Sequence, residues 1–272
     1  MKKILCIIIV IITVGTPFFA QSDSISTSHT KSLPKLQLAN FYDILKAERF
    51  TTTMWQLMIE QQDPKYPIKS STDVIEDFNK LLLKEKPSLS WSLDILIGRD
   101  ETMLFEKYAN NIEKLIKRIV FVDGEKVKYL YNREGDIPIR FVLKDEKKVF
   151  LLTKYGSSKI FNTLRMSAKN RAAKIISSII LPCMENFHSA FKDSDISYYG
   201  MVVFFGSKDF SEEDDVLNLK PEIVSMIIST EQYKKYCEGT ITDDDLIDSA
   251  DVYSTDRCFA YCIPKKIKIR LD

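Results

Sequence analysis

The sequence predicts an α+β fold, and three observations carry that expectation. Apolar residues recur largely at three- and four-residue steps from Leu36 to Ile116. From Arg118 to Tyr155 the period drops to two. After Gly156 a long helical pattern gives way to two continuous apolar runs, "ISYYGMVVFFG" and "EIVSMIIST", which suit buried strands.

The elements follow in order. Gln21 to Lys35 is rich in Ser and Thr and is expected to be a mobile leader, taken as residues 21–36. Leu38, Phe41, Tyr42, Leu45, Phe50, Met54, Leu57 and Met58 give a first helix its apolar face, which Pro64 and Pro67 end. Asp73 and Glu76 mark the start of a second helix carrying Val74, Phe78, Leu81 and Leu82. Trp91, Leu93, Ile95 and Ile97 alternate as a strand does. Asp100 can cap a third helix bearing Leu104, Tyr108, Ile112, Leu115 and Ile116. Asp123-Gly124 between two alternating runs is a hairpin signal. With "IPIRFVL" and "KKVFLLTKY", joined by a charged turn, it predicts a four-stranded antiparallel meander from Arg118 to Tyr155.

This order of helix, helix, strand, helix and meander resembles the NTF2-like α+β cone over residues 37–155. The resemblance implies a curved sheet with helices packed in its concavity, a fold that hosts both enzymes and non-catalytic modules. A first α+β domain is therefore expected at 37–156. A second α+β domain or extension follows at 157–272. Ser157 to Lys192 is expected to form a long helix, kinked near Leu181 because Pro182 lacks an N–H and clashes with the turn before it. Lys169, Arg171 and Lys174 fall on its polar side. "EQYKKYCEG" predicts a short helix closed by Gly239, "TDDDLIDSADVY" another, and "KKIKIRL" a final strand.

The first twenty residues address the chain. Lys2 and Lys3 precede an apolar run from Ile4 to Val14, and Ala20 and Ser22 offer small residues where a signal peptidase cuts. The run is short against the ~20 residues of a membrane span. A cleaved signal peptide at 1–20 and export to the periplasm or outside the cell are expected, with an uncleaved N-terminal anchor as the alternative. No later stretch is long and apolar enough to span. Losing Lys2 and Lys3 takes the formal charge from +1 to −1. A near-neutral chain gives no argument for nucleic acid or an anionic membrane as partner.

Without Cys6, four cysteines remain: Cys183, Cys237, Cys258 and Cys262. An even number in an oxidising compartment predicts two disulfides, with buried thiols as the alternative. On an extended strand Cys258 and Cys262 would stand about 13 Å apart, too far to bridge. Each is expected to pair with Cys183 or Cys237.

Several chemistries lack their residues. His29 lies in the leader, so His188 is the one histidine left for a triad or dyad. On a continuous helix Cys183 and His188 point about 140° apart. There is no C-x-x-C and no H-E-x-x-H, so no zinc site is predicted. The few glycines form neither G-x-G-x-x-G nor a P-loop, so no cofactor of those kinds is predicted. The acidic runs "SEEDD" and "TDDDLIDSAD" lack calcium-loop order, and Thr242 with Asp245 forms a capping box. In "KKIKIR" Lys266, Lys268 and Arg270 alternate with Ile267, Ile269 and Leu271, as in a half-buried edge strand protected by charge.

What remains is the polar tip at which "YYGMVVFFG" ends. Gly206 permits a turn there. Ser207, Lys208 and Asp209 then stand where an apolar strand reaches the surface, with Lys208 able to hold an anion and Asp209 able to orient it. The same residues suit a solvated turn. The function expected is that of an exported, non-catalytic binding or structural module with a protein or small ligand as partner. The alternative is a carboxylate-dependent hydrolase with its site at Lys208 and Asp209.

Overall fold

A computed structural model describes residues 36–47, 98–119, 139–211, 220–255 and 264–271. The expected signal peptide, the Trp91 strand, the Asp123-Gly124 hairpin, and Cys258 and Cys262 lie outside these residues. So does much of the stretch on which the NTF2-like resemblance rests.

Phe41 and Leu45, four apart, are the buried face of α1 (Phe41–Ala47). Gly98, with φ of 84°, opens α2 (Arg99–Lys107). Asp100 is therefore not the cap: it lies in the first turn, and its carboxylate accepts from the Gln37 N–H at 2.6 Å. The helical pattern resumes after Tyr108 as α3 (Ala109–Ile119), with Ile112, Leu115, Ile116 and Ile119 buried. Arg118, expected to open the meander, belongs to the last turn of α3.

The described part of the meander is the antiparallel hairpin β1 (Ile139–Lys144) and β2 (Lys147–Asn162). Asp145 and Glu146 join the strands with φ of 49° and 62°, the left-handed pair that a two-residue hairpin requires. β2 then continues past Tyr155 to Asn162, so the helix expected from Ser157 starts at Ala168 instead. The boundary expected at 156/157 falls inside this strand. Its second half pairs in parallel with β3 (Tyr198–Lys208), through Ile160↔Gly206, Phe161↔Ser207 and Asn162↔Lys208. Ile160, Leu164 and Ala168 repeat at helical spacing, but sheet pairing overrides that local signal.

The crossover between β2 and β3 is one helical rod. It comprises α4 (Ala168–Ile175), a π-helical segment (Ile176–Ile180) and α5 (Leu181–Phe191). The expected kink takes the form of this wider turn. The Leu181 N–H reaches back five residues to the Ile176 carbonyl. The wide turn lies immediately before Pro182, where an ordinary turn would lose a bond and meet the ring.

The chain then runs through β4 (Lys220–Ser229), α6 (Thr230–Cys237), α7 (Asp243–Ser249), β5 (Asp251–Thr255) and β6 (Lys265–Lys266). Gly239, with φ of 70°, closes α6, and Thr242 and Asp245 form the expected capping box on α7. The helix expected in "TDDDLIDSADVY" stops at Ser249, because Asp251 to Tyr253 pair with β4. The final strand shortens to two residues. The alternation beyond it persists: Lys266, Lys268 and Arg270 are exposed and Ile269 is buried.

The fold is α+β. Its described strands form one six-stranded sheet in the order β1-β2-β3-β4-β5-β6, antiparallel except for β2 and β3. Tyr199, Met201, Val203 and Phe205 pack with α3 and the crossover rod on one face. Val202, Phe204, Ile227 and Tyr253 pack with Phe41 and Leu45 on the other. That second face is curled. A flat sheet would hold β1 and β5 about 19 Å apart, yet Lys144 Nζ lies 3.2 Å from Asp251. The Phe41 and Tyr253 rings are 6.2 Å apart. Gly200 lies on this face, where a Cβ would sit 2.8 Å from Leu151 Cδ1.

Candidate functional site

The parallel pair ends at one edge of the sheet, and two loops leave it side by side. Asn162 and Lys208 are register partners, and the Thr163 N–H donates to the Lys208 carbonyl at 3.0 Å. Each strand closes in a turn made by its own side chain. Asn162 Oδ1 accepts from the Leu164 N–H at 2.9 Å. Asp209 Oδ1 accepts from the Ser211 N–H at 2.9 Å and the Ser211 hydroxyl at 2.7 Å. Side-chain turns of this kind fix a loop without using the ladder. Each turn presents one large apolar side chain to solvent: Leu164 is 65% exposed and Phe210 55%. Lys208 Nζ lies 5.9 Å from the centre of the Phe210 ring, and Arg165 is exposed beside Leu164.

A buried ion pair supports this edge. Arg171 was expected on the polar side of its helix; it is buried. Its Nε and Nη2 donate to Glu222 on β4 at 3.1 and 2.5 Å, and its Nη1 donates to the Met166 carbonyl at 2.5 Å. Met166 closes the turn that carries Leu164. The rod, the turn and β4 are thereby fixed to one another.

The three residues expected to form the site divide. Ser207 is only 1% exposed, and its hydroxyl donates to the Lys220 carbonyl at 3.3 Å. It is part of the sheet, not of a contact surface. Lys208 is half-buried and reaches the edge. Asp209 turns back on its own loop, and the two Ser211 hydrogen bonds hold its carboxyl below the usual range. Gly206 makes no turn: it is paired within β3, and the chain turns after Lys208. Leu164, Arg165 and Phe210 were missed. The Asn162-x-Leu164 and Asp209-x-Ser211 spacings carried a turn signal for each loop, but nothing local brings the two loops together.

Three other carboxylates serve the framework. Glu101 is fully buried. It accepts from Arg140 Nε and Nη2 at 2.8 and 2.9 Å and from the Phe141 N–H at 2.7 Å. Burial raises its pKa against these three donors. Asp195 is also pushed up by burial. Lys148, Tyr108 and Lys107 outweigh that and hold its carboxyl well below the usual range. Asp251 accepts from Lys144 across the curl and from Lys266 on the neighbouring strand β6.

Cys183 and Cys237 are both thiols in this structure, and Cys258 and Cys262, the partners expected for them, lie outside the described residues. Cys183 faces the core on α5 and Cys237 the surface on α6, so neither is presented to the other. His188 packs edge-on against Tyr199 at 6.2 Å and beside Tyr233 at 5.6 Å. Among the described residues no three His, Cys, Asp or Glu side chains gather as a metal ion requires. No protein-family model, curated protein or solved structure matches the chain.

Proposed function

We propose that the chain is an exported binding module that engages a protein or small ligand through the carboxyl edge of β2 and β3. One observation carries the reading. Two adjacent loops, each fixed by an Asx turn, hold Leu164 and Phe210 out in solvent beside Lys208 and Arg165. Exposed apolar side chains on a rigid support are the form that contact anchors take. Export is supported by Lys2, Lys3 and the apolar run from Ile4 to Val14. The NTF2-like resemblance belongs to the same proposal, and the curled sheet holding Phe41 and Leu45 supports it.

The rival is a hydrolase using Asp209 with Lys208. It requires a carboxylate free to face substrate, whereas Asp209 Oδ1 is occupied by Ser211. A double variant, Leu164→Ser with Phe210→Ser, separates the two. Both residues are exposed, so each change should shift stability by no more than about 0.5 kcal/mol. Partner binding from the native exported fraction should be lost, and the mature protein should begin at Gln21 or Asp23. Turnover of an ester, glycan or peptide that Asp209→Asn abolishes would establish the rival. An intact Met1 on a soluble cytoplasmic form would remove export.

A further inference from the structure

Three rings meet where α5, β3 and α6 pack. His188 and Tyr199 are 6.2 Å apart, His188 and Tyr233 5.6 Å, and Tyr199 and Tyr233 6.2 Å. Two of the three carry buried polar atoms without a hydrogen-bond partner among the described residues: His188 Nδ1 and the Tyr199 hydroxyl. The third, Tyr233, is in hydrogen-bond contact with the Cys237 thiol at the end of α6. Buried polar atoms without partners are rare in folded proteins, and each is a standing cost of the closed arrangement.

Both orphaned atoms lie in the cluster that α6 covers. This helix has eight residues and buries only Tyr233 fully. Its outer surface is charged, with exposed pairs between Glu231 and Lys235 and between Lys234 and Glu238. Its start is tied to the sheet end by the Ser229 cap and the bond from the Thr230 N–H to the Ser197 carbonyl. Lifting it about that start would admit water to both orphaned atoms while leaving the β3–β4 ladder intact.

We propose that α6 is an acid-sensitive cover, closed over Tyr199 and His188 and lifted when His188 takes a proton. An imidazolium has two donors to satisfy, and the closed arrangement leaves Nδ1 with no acceptor among the described residues. The charged and titratable groups around the ring come from every element packed on it. Lys192 and Asp193 follow α5, and Glu185 lies on it. Lys234, Tyr236 and Cys237 lie on α6 and Glu238 follows it, with Asp243 on α7 and Tyr199 on β3. Burial, then Lys192 and Lys234, push the His188 pKa down, with Asp193 and Glu238 opposing. Burial pushes the Tyr199, Tyr233 and Tyr236 phenols and the Cys237 thiol up, away from neutral pH. The sign follows. Closed His188 binds its proton less tightly than open His188, so closure is fully favoured above about pH 6.5. It weakens as pH falls through the lowered value.

Hydrogen exchange on the full chain at pH 7.5 and pH 5.0 tests this, with rates converted to protection factors to remove the intrinsic pH dependence. Protection of the α6 amides should fall by about threefold or more at pH 5.0, while β3 and β4 stay unchanged. His188→Phe should abolish the response. Tyr199→Phe, which removes an orphaned hydroxyl but keeps the imidazole, should raise α6 protection at both pH values and retain the response. Unchanged α6 protection, an equal fall in His188→Phe, or a fall shared by β3 and β4 would each overturn the proposal.

Discussion

Arg171 holds the candidate site from beneath. Its guanidinium satisfies Glu222 with two bonds and the Met166 carbonyl with a third. Breaking such a pair strands a buried charge, whereas replacing both partners removes the problem. Arg171→Met is therefore expected to cost about 3–5 kcal/mol in denaturant unfolding. Arg171→Met with Glu222→Met should recover much of that loss. Additive losses in the double variant would mean that the two side chains are not paired. The sequence concealed this pair. Arg171 sits among Lys169 and Lys174 in a pattern that looks solvated, and only β4, fifty-one residues on, supplies its partner. Lys208 and Asp209 were legible as a polar end to an apolar strand, but Ser207 was not legible as a sheet residue. Its burial depends on β4 running alongside.

Among the elements, β3 carries the sharpest constraint. It has apolar residues on both faces, and Gly200 interrupts them on the curled one. The nearest heavy atom to an added Cβ is Leu151 Cδ1, the mobile end of a side chain, with Val149 Cγ1 at 3.6 Å and Ile227 Cγ1 at 3.8 Å. Gly200→Ala should thus cost about 1 kcal/mol, and Gly200→Val about 2–3 kcal/mol, as overpacking does. Thermal unfolding of the two variants measures this, and equal stability of Gly200→Val and wild type would refute a tight curl. β3, β4 and the helices after them were readable from apolar runs and caps, because those signals are local. The extent of β2 was not. Residues 157–162 look helical by spacing, and their strand conformation comes from a parallel neighbour reached only through the crossover rod. The wide turn before Pro182 was legible as a kink in place, though not in kind, since proline forbids the ordinary turn without choosing its substitute.

The whole molecule gathers these features at one edge. Among the described strands, the one parallel pair brings the ends of β2 and β3 together. Their Asx turns then set two apolar side chains in solvent, over an ion pair that fixes the turn behind them. No helix among the described residues is long and apolar enough to cross a membrane. The central claim is that this edge, rather than another exposed apolar position, meets the partner. Met103 at 54% exposed and Tyr42 at 37% lie elsewhere and serve as internal controls. Hydroxyl-radical footprinting of the protein, alone and in the fraction of its native host in which it is found, tests the claim directly. The account predicts that Leu164 and Phe210 lose most of their reactivity in the fraction while Met103 and Tyr42 keep theirs. Unchanged labelling of Leu164 and Phe210, or protection confined to Met103 or Tyr42, would contradict it.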